Sequence, residues 1–473
     1  MHTRMRTIIA PLAVLPLLLG LAPETPRATE APGPGDHLAE VLAERTTAEG
    51  ALRHLTALQR IADASGGHRE AGSTGHERSA RYATALLEAA GYRVSHQPFT
   101  FSHRETTAER LTLTGDGERA VPVRALTYTA NTPPGGLTAP LAVAGSEGCA
   151  PGDFAGDTYR GRIALIARGT CTFAEKAAHA AAAGAVAALV HDNVPGDTPF
   201  TGSLSDPDAG VIPVGGLTLA DGHELAAADG ATVHLELEQL AEERETFNVI
   251  AESRGGDPDR VVMAGAHLDS VREGPGINDN GSGTAGVLET ALRLAEHHRG
   301  GGATVRFALW SAEEWGLLGS RHYVAGLTGA ERDAISVYLN FDMIASPNHA
   351  LFVYDGSEGP AGSAAVTEHL VTSLAEQGLT AELTPFGSRS DHAPFVEAGI
   401  AAGGLFTGAE GLKTEAQARL WGGTAGEPYD PCYHSTCDDL GNIGHAALAA
   451  NVRVIAGTVG RAVWHPEALT TAP

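Results

Sequence analysis

Three short apolar runs in the second half of the chain are each followed by an acidic or imidazole side chain. They are residues 261–266 before His267, 304–310 before Glu313 and 337–341 before Asp342. Runs of this length and composition are typical of buried strands, and segments with helical periodicity lie between them. Strands that alternate with helices predict a parallel or mixed sheet, and such a sheet places ligands at the carboxyl ends of its strands. The pattern therefore predicts an α/β domain with polar side chains gathered at one edge of the sheet.

The helical segments carry small and apolar residues on one face. They span residues 76–90, which end at Gly91, and residues 282–298, 364–377 and 445–464. A strand-like run over 92–101 follows the first of them. From about residue 130 the pattern changes to short β runs separated by Gly and Pro, with an alanine-rich helix over 173–183. Because strand and helix alternate again from about Glu245, we expect a β-rich block inserted into, or capping, the α/β domain.

Composition limits the class of protein to which the chain can belong. Its 473 residues, of which 43% are hydrophobic and 19% charged, suit a globular protein of two or three domains. A net charge of −25 argues against nucleic acid or an anionic membrane as a partner, although solubility alone explains such a charge.

The first residues have the order of a secretory signal. Arg4 and Arg6 precede an apolar run over 8–21, and small residues end at Ala22. The run is too short to remain in a bilayer as a span, and no later segment suggests one, so we expect a soluble, exported protein. Residues 23–36, rich in Pro, Glu and Gly, are interpreted as a pro-segment or linker. The scarcity of lysine beside abundant Ala and Gly indicates a GC-rich bacterial coding bias.

Four cysteines suit the oxidising compartment to which an exported protein goes. They allow three pairings, and spacing alone does not choose among them. Proximity favours Cys432–Cys437, which closes a small loop, and Cys149–Cys171, which closes a larger one.

The polar residues at the predicted sheet edge are of the types that bind divalent metal ions. His267 and Asp342 follow apolar strands, and Asp279 lies in a Gly- and Asn-rich turn before a helix, where a carboxylate can bridge two ions. Asp269, two residues after His267, is placed to receive the second ring N–H of that histidine.

Glu313 and Glu314 follow another of these strands. Adjacent carboxylates repel each other when both are ionised, which favours one as a metal ligand and the other as a general base. Taken singly, each of these acids also suits a helix start, a turn or a strand end, and a lone histidine is more often a hydrogen-bonded core residue. Their combination at these spacings, together with His434, favours a metal centre.

The motifs around these residues resemble those of peptidase family M28, in particular its secreted dizinc aminopeptidases of the bacterial leucine type. They are GAHLDS, PGINDNGSG, SAEEWGLLGS, NFDMI, GSRSDHAPF, GGLFTGAE and YDPCYHSTCDDL, within residues 246–445. Residues 75–91 resemble the opening helix of the family. The block over about 130–240, with EGC, RGRIALIARGTCTFAEKAAHAAAAGA and GVIPV, resembles a protease-associated (PA) domain. The resemblance implies a three-layer α/β/α zinc exopeptidase domain with a mixed sheet and an inserted β-rich PA domain.

The same resemblance implies two zinc ions per chain. One would bind His267, Asp279 and Asp342, and the other Asp279, Glu314 and His434, so that Asp279 bridges the pair. Calcium binds some relatives in this family, but no EF-hand-like spacing locates a calcium site here.

The resemblance also implies the roles of the remaining site residues. Glu313 would be the general base and Asp269 would orient a histidine ligand. Tyr433 would donate its hydroxyl to the developing oxyanion, in a loop stiffened by the Cys432–Cys437 bridge. Arg389 would contact the substrate, with a salt bridge to Asp391 as the structural alternative.

Phe406 and Trp421 lie in a Gly-rich region before Tyr433 and are candidates for lining the pocket of the substrate side chain. We expect a monomer that removes residues, large apolar ones such as Leu, from the N-termini of peptides or proteins. Within the same fold, a carboxypeptidase or a glutaminyl cyclase is the nearest alternative. A non-catalytic binding ectodomain is a further one, against which the intact set of ligands argues.

The predicted division of the chain has six parts. They are a signal peptide over 1–22, a pro-segment or linker over 23–36, the N-terminal part of the peptidase domain over 37–129, the PA insertion over 130–240, the main part of the peptidase domain over 241–466 and a C-terminal tail over 467–473.

Overall fold

The computed structural model describes residues 33–114, 117–154, 156–298 and 300–471. The predicted signal peptide over 1–22 lies outside these residues, as do most of the predicted linker over 23–36 and the end of the predicted tail over 467–473. Within the described part, the first helix begins at Pro34, inside the predicted linker, and the last helix, Pro466–Thr470, reaches into the predicted tail.

Helices and strands alternate through most of the chain. The helices are α1 (Pro34–Arg45), α2 (Ala48–Asp63), α3 (Thr74–Ala89), α4 (Phe173–Ala182), α5 (Leu219–Ala227), α6 (Gly281–His297), α7 (Leu318–Ala325), α8 (Gly329–Ala334), α9 (Ser363–Ala375), α10 (His392–Glu397), α11 (Glu415–Trp421), α12 (His445–Trp464) and α13 (Pro466–Thr470). The strands are β1 (Arg93–Thr114), β2 (Arg119–Val121), β3 (Arg124–Ala125), β4 (Leu137–Val143), β5 (Ile163–Ala167), β6 (Ala187–His191), β7 (Val214–Leu217), β8 (Thr232–Glu252), β9 (Asp257–His267), β10 (Ala303–Trp310), β11 (Ile335–Phe341), β12 (Phe352–Asp355), β13 (Glu382–Pro385) and β14 (Ala402–Phe406).

The sheet of the larger domain is mixed. Its order is β13-β12-β14-β11-β9-β10-β8, with β1 paired to the other edge of β8. Strands β14, β11, β9 and β10 are parallel to one another, whereas β8 and β12 run antiparallel to β10 and β14.

Both faces of this sheet are covered, which gives three layers. Successive side chains of a strand point to opposite faces, and in β9 Val262 and Ala264 join one hydrophobic core while Val261 and Met263 join another. Helices α2, α6, α9 and α12 pack on the first core, and α7 and α10 on the second. The predicted three-layer α/β/α fold is confirmed.

Helix α12 departs from one expectation. Its 20 residues are apolar enough to cross a bilayer by length and composition, although the sequence interpretation found no span after the signal. In the fold, 67% of its most apolar window is buried, and residues such as Leu448, Val452 and Ile455 belong to the first core. The helix therefore has the packing of a core helix.

A long antiparallel ribbon joins the two domains. Strands β1 and β8 pair from Arg93 opposite Glu252 to Thr114 opposite Thr232. One end of β8 pairs with β10 of the peptidase sheet, and the other end pairs with β4. From β4 the pairing continues through β5, β6, β7 and β3, with α4 and α5 beside them. The inserted domain is thus built on the ribbon, and it contains α5 in addition to the predicted helix over 173–183.

Candidate active site and metal centre

Three neighbouring parallel strands place polar residues at the same sheet edge. His267 is the last residue of β9, Asp342 follows the end of β11, and Glu313 comes three residues after β10. The carboxyl ends of parallel strands are the edge at which open α/β sheets bind ligands. The predicted convergence of these residues is therefore present in the fold.

Asp279 lies between two histidines. Its Oδ1 is 3.2 Å from His267 Nε2, and its Oδ2 is 3.2 Å from His434 Nε2. Asp342 Oδ1 is 3.4 Å from His267 Nε2, and Glu314 Oε2 is 3.0 Å from His434 Nε2. The five residues thus form two groups of three that share the carboxylate of Asp279.

Two buried oxygens in these groups lack a hydrogen-bond partner within the part of the chain that the structure describes. They are Asp342 Oδ1 and Glu314 Oε1, and an unsatisfied buried carboxylate oxygen is costly. The possible ligand atoms of His267, Glu313 and Asp342 lie within 4.8 Å of one another, as do those of His267, Asp279 and Glu314. Imidazole nitrogens and carboxylate oxygens are ligands that zinc accepts. The residues therefore fit divalent cations of this kind.

The electrostatics of the site also favour bound cations. Burial by itself would lower the pKa of His267, but Glu313 and Asp342 raise it well above its usual value. Burial likewise opposes the charge of His434, and Glu314 and Asp279 raise its pKa well above the usual value. The carboxylates thus create a strongly negative environment at these two imidazoles.

Asp269 contacts the ring of His267 through both its main chain and its side chain. His267 Nδ1 lies 3.1 Å from the main-chain oxygen of Asp269 and 3.6 Å from its Oδ1. A carbonyl oxygen only accepts, so this contact requires the proton on Nδ1 and leaves Nε2 free to bind a metal. The Asp269 carboxylate also accepts the backbone N–H of Glu313 at 3.3 Å.

Asp342 is held by a short chain of hydrogen bonds. Ser390 Oγ donates to Asp342 Oδ2 at 2.6 Å and accepts from Asn340 Nδ2 at 2.7 Å. This leaves Asp342 Oδ1 directed towards His267.

The loop closed by Cys432 and Cys437 carries two predicted site residues, Tyr433 and His434. The Cys432–Cys437 bond is present, as is Cys149–Cys171 in the inserted domain, so both predicted pairings are confirmed. The ring of Tyr433 stacks on that of His434, with centroids 3.8 Å apart and an interplanar angle of 22°.

Arg389 is an exposed residue that contacts Tyr433 of this loop. Its Nη2 is 3.3 Å from the Tyr433 hydroxyl, and its Nη1 is 2.9 Å from Glu410 Oε1. The alternative of a salt bridge to Asp391 is wrong: Asp391 accepts a hydrogen bond from Ser320, deep in the fold.

Comparison with known proteins agrees with this geometry. The model of peptidase family M28 matches residues 248–459, and that of the PA domain matches residues 137–225. A probable lipoprotein aminopeptidase of Mycobacterium tuberculosis is 43% identical over 436 residues, which cover 89% of this chain and 86% of the relative. The chain belongs to peptidase family M28.

Two further comparisons concern the activity of this M28 peptidase. A probable leucine aminopeptidase 2 of Aspergillus fumigatus is 43% identical over 402 residues, which cover 82% of the chain and 78% of that relative. The solved structure of a zinc aminopeptidase from Bacillus subtilis superimposes with a TM-score of 0.70 at 31% identity, covering 89% and 96% of the two chains. The M28 peptidase is thus a zinc-dependent metallo-aminopeptidase with an inserted PA domain.

Sequence reasoning did not find the residues that fix the turn before Asp279. Asp438 Oδ1 accepts the backbone N–H of Asn278 at 2.8 Å, and its Oδ2 accepts that of Asp279 at 2.9 Å. Asn442 donates to both Asp438 and Asp430, and Asp430 accepts from the Asn278 side chain at 2.6 Å. The sequence signal that could have indicated this role is the pair of adjacent acids, Asp438 and Asp439, in the CDDL motif.

Arg69 is a second residue without a predicted role. It is fully buried, and burial lowers its pKa to about 10, which still leaves it charged at neutral pH. Its guanidinium donates to the main-chain oxygens of Leu268, Pro275 and Gly276. Arg69 therefore ties together both ends of the loop between His267 and Asp279.

Proposed function

We propose that this M28 peptidase is an exported, dizinc aminopeptidase that removes large apolar, Leu-like residues from peptide N-termini. The observation that carries the proposal is the position of Asp279, with one carboxylate oxygen 3.2 Å from each of the imidazoles of His267 and His434. One zinc ion would bind His267, Asp279 and Asp342, and the second would bind Asp279, Glu314 and His434.

Glu313 is the proposed general base. A pair of zinc ions, when bound, supplies a water of lowered pKa and positive charge beside the scissile carbonyl. Burial raises the pKa of Glu313 well above its usual value, and Asp342, Asp391 and Glu314 add to this rise against the charge of His267. A carboxylate of raised pKa suits a group that takes a proton from the attacking water and returns it to the leaving amine.

Tyr433 is the proposed donor to the oxyanion. Burial raises the pKa of its hydroxyl well above the usual value, so the hydroxyl keeps its proton at neutral pH. The stack on His434 fixes the ring beside the ligands, and Arg389 lies 3.3 Å from the hydroxyl. A preorganised donor of this kind stabilises negative charge that develops during the reaction. With 70% of its side chain exposed, Arg389 is also accessible to substrate.

Recognition of a free N-terminus requires negative charge near the scissile bond. We assign this role to Glu313 and Asp342, which lie close together around His267 Nε2. An α-amino group is cationic at neutral pH unless it binds a metal, and an N-acetyl group is neutral and bulkier. Selection for unblocked peptides follows from this arrangement.

An aromatic wall beside Asp342 supports the preference for apolar residues. Tyr354 stacks on Phe406 with centroids 6.2 Å apart, and Tyr354 and Phe386 flank His392 at 4.5 and 4.6 Å. Burial raises the pKa of Tyr354, and the charges of Asp342 and Glu313 add to this rise. Of the two predicted pocket residues, only Phe406 joins this wall.

Trp421 lies farther along the same group of rings. Its Nε1 donates to the main-chain oxygen of Thr380, and its ring contacts Phe352, which also stacks on Phe406. The name of the fungal relative, a probable leucine aminopeptidase, also supports an apolar preference.

We also propose the domain division of the chain, its export and its oligomeric state. We propose export by the signal over 1–22 and a peptidase domain formed by 37–129 and 241–466 around an insertion over 130–240. The PA match over 137–225 lies within that insertion. We further propose that the mature enzyme acts as a monomer.

The test compares hydrolysis of a leucyl chromogenic anilide with that of its N-acetyl form, each with and without a chelator. We expect cleavage of the free-amine substrate alone, loss of activity on chelation and its recovery with zinc. Absence of cleavage by protein that holds two zinc ions would overturn the aminopeptidase assignment and favour carboxypeptidase or cyclase substrates.

A further inference from the structure

The side chain of Trp315 lies between the cores of the two domains. It directly follows Glu314, and its ring is 5.8 Å from Phe101 and 4.8 Å from His103 on the ribbon strand β1. The same side chain also packs against the core of the PA domain, whose members include Leu126 and Leu204. A residue next to a proposed zinc ligand therefore contacts both domains.

Tyr128 precedes the predicted start of the insertion at 130, but it belongs to the hydrophobic core of the PA domain and makes the polar part of this contact from that side. Its hydroxyl donates to the main-chain oxygen of Trp315 at 3.3 Å. Tyr128 is only 3% exposed, and the guanidinium of Arg104 lies 5.5 Å from its ring centroid. The hydroxyl of this buried ring is thus directed at the peptide between Trp315 and Gly316, one residue after Glu314.

The turn that carries the two glutamates is strained. Ala312 and Leu317 adopt left-handed φ values of 55° and 63°, which residues with a Cβ rarely do. Such conformations persist when the surrounding contacts fix them, and they concentrate at functional sites. Tyr128 itself has a φ of 69°, so a left-handed residue also lies on the PA side of the domain contact.

Hydrogen bonds within the peptidase domain also hold this turn. The N–H of Glu313 donates to Asp269 Oδ1, and the carbonyl oxygen of Glu313 accepts from Gly316 N and Leu317 N, both at 2.8 Å. The peptide between Trp315 and Gly316 is the one that receives the hydrogen bond from the PA domain.

We propose that the PA domain, through Tyr128 and Trp315, holds Glu314 in its ligating position. Tyr128 and Trp315 are then positioning residues, and the affinity of the site for its second zinc ion depends on docking of the PA domain. This inference rests on the proposed function, in which Glu314 is a ligand. It assigns to the inserted domain a part in building the active site.

The test uses the full chain with three substitutions. Tyr128→Phe removes the hydroxyl, and Trp315→Phe and Trp315→Ala remove part or all of the ring. Tyr159→Phe is the matched control, because Tyr159 is 4% exposed in the same PA core and its hydroxyl donates within that domain, to the main-chain oxygen of Val143. The readouts are zinc release to a competing chelator, kcat, KM and the melting temperature.

Loss of a residue that orients a metal ligand typically weakens binding or activity by about 10- to 100-fold. We expect a loss in that range for one of the two zinc ions in Trp315→Ala, a few-fold loss in Tyr128→Phe and none in Tyr159→Phe. The KM of zinc-saturated enzyme should stay near the wild-type value. The loss of zinc affinity in Trp315→Phe should lie between the losses in Tyr128→Phe and Trp315→Ala. If Trp315→Ala does not fold, Trp315→Phe replaces it in the test.

Glu314→Gln separates this inference from the function on which it rests. If Glu314→Gln leaves zinc affinity unchanged, the proposed ligand set is wrong and the inference falls with it. If Glu314→Gln weakens zinc binding while Tyr128→Phe and both Trp315 variants hold zinc as the wild type does, the inference alone is overturned. A lowered melting temperature with unchanged zinc affinity has the same meaning.

Discussion

Asp438 accepts the backbone N–H of Asp279 at 2.9 Å, although the two residues lie 159 positions apart in the sequence. Its other carboxylate oxygen accepts from Asn278 at 2.8 Å. The disulfide-closed loop that carries His434 is therefore fixed directly to the turn that carries the shared carboxylate.

Replacement of Asp438 by asparagine is expected to weaken zinc binding. An asparagine side chain offers one acceptor oxygen where the carboxylate offers two, so one of the two backbone N–H groups loses its partner. We expect a loss of about 10- to 100-fold in zinc affinity, measured by chelator competition. The control is Asp439→Asn, because Asp439 is exposed and its side chain accepts only the local N–H of Gly441. Equal zinc affinity in the two variants would contradict this role for Asp438.

Replacement of Glu313 by glutamine separates proton transfer from metal binding. The amide keeps the shape of the side chain but does not accept a proton at neutral pH. General acid–base catalysis typically contributes about 10²- to 10⁴-fold, so kcat should fall by that order while two zinc ions remain bound. Metal analysis and steady-state kinetics on the same preparation check both statements. A variant with zinc lost in step with activity would instead make Glu313 a ligand.

The two disulfides should differ in what they stabilise. Cys149–Cys171 encloses a sequence separation of 22, and Cys432–Cys437 one of 5. In the chain-entropy account, the longer loop contributes about 1 kcal/mol more to the free energy of unfolding. We expect the double serine variant at 149 and 171 to lose more thermal stability and the one at 432 and 437 to lose more kcat. Melting curves and steady-state kinetics of the two variants measure these losses. A larger loss of stability in the 432/437 variant, or a larger loss of kcat in the 149/171 variant, would contradict the prediction.

His76 should make stability depend on pH below neutrality. Burial lowers its pKa to about 4, and neither ring nitrogen has a hydrogen-bond partner among the described residues. The unfolded chain takes up this proton below a pKa of about 6.5 and the folded chain does not, so stability is complete above pH 6.5 and falls as the pH approaches 4. The contribution over this window is about 3 kcal/mol.

His76→Leu removes the proton acceptor and tests this contribution. Relative to the wild type, the variant should gain about 3 kcal/mol in the free energy of unfolding between pH 7 and pH 4, because it escapes that loss. Denaturant unfolding at both pH values measures the difference. His369, whose pKa burial also lowers to about 4, remains in both proteins and cancels in the comparison. A difference between variant and wild type that does not change with pH would contradict the assignment.

The sheet edge and most of its ligands could be predicted from the sequence because both signals are local. Buried parallel strands are continuous apolar runs, and His267 and Asp342 come at or directly after the ends of such runs. Strand β1 was harder to delimit. The sequence predicts its end at residue 101, but it continues to Thr114, because the exposed ribbon tolerates polar residues on both faces.

The supports of the site could not be predicted in this way. Arg69 acts through carbonyl groups about 200 residues later in the chain, and Tyr128 reaches Trp315 across 187 residues. Contacts between distant segments leave no periodic pattern in a single sequence. The resemblance to M28 peptidases named the proposed ligands, whereas the fold shows which residues hold them in place.

The most direct test of the dizinc site is anomalous diffraction at the zinc absorption edge from crystals of the full-length enzyme. We predict two peaks on either side of the Asp279 carboxylate, one in contact with His267 and Asp342 and the other with Glu314 and His434. A single peak, or a second peak that avoids Glu314 and His434, would contradict the account.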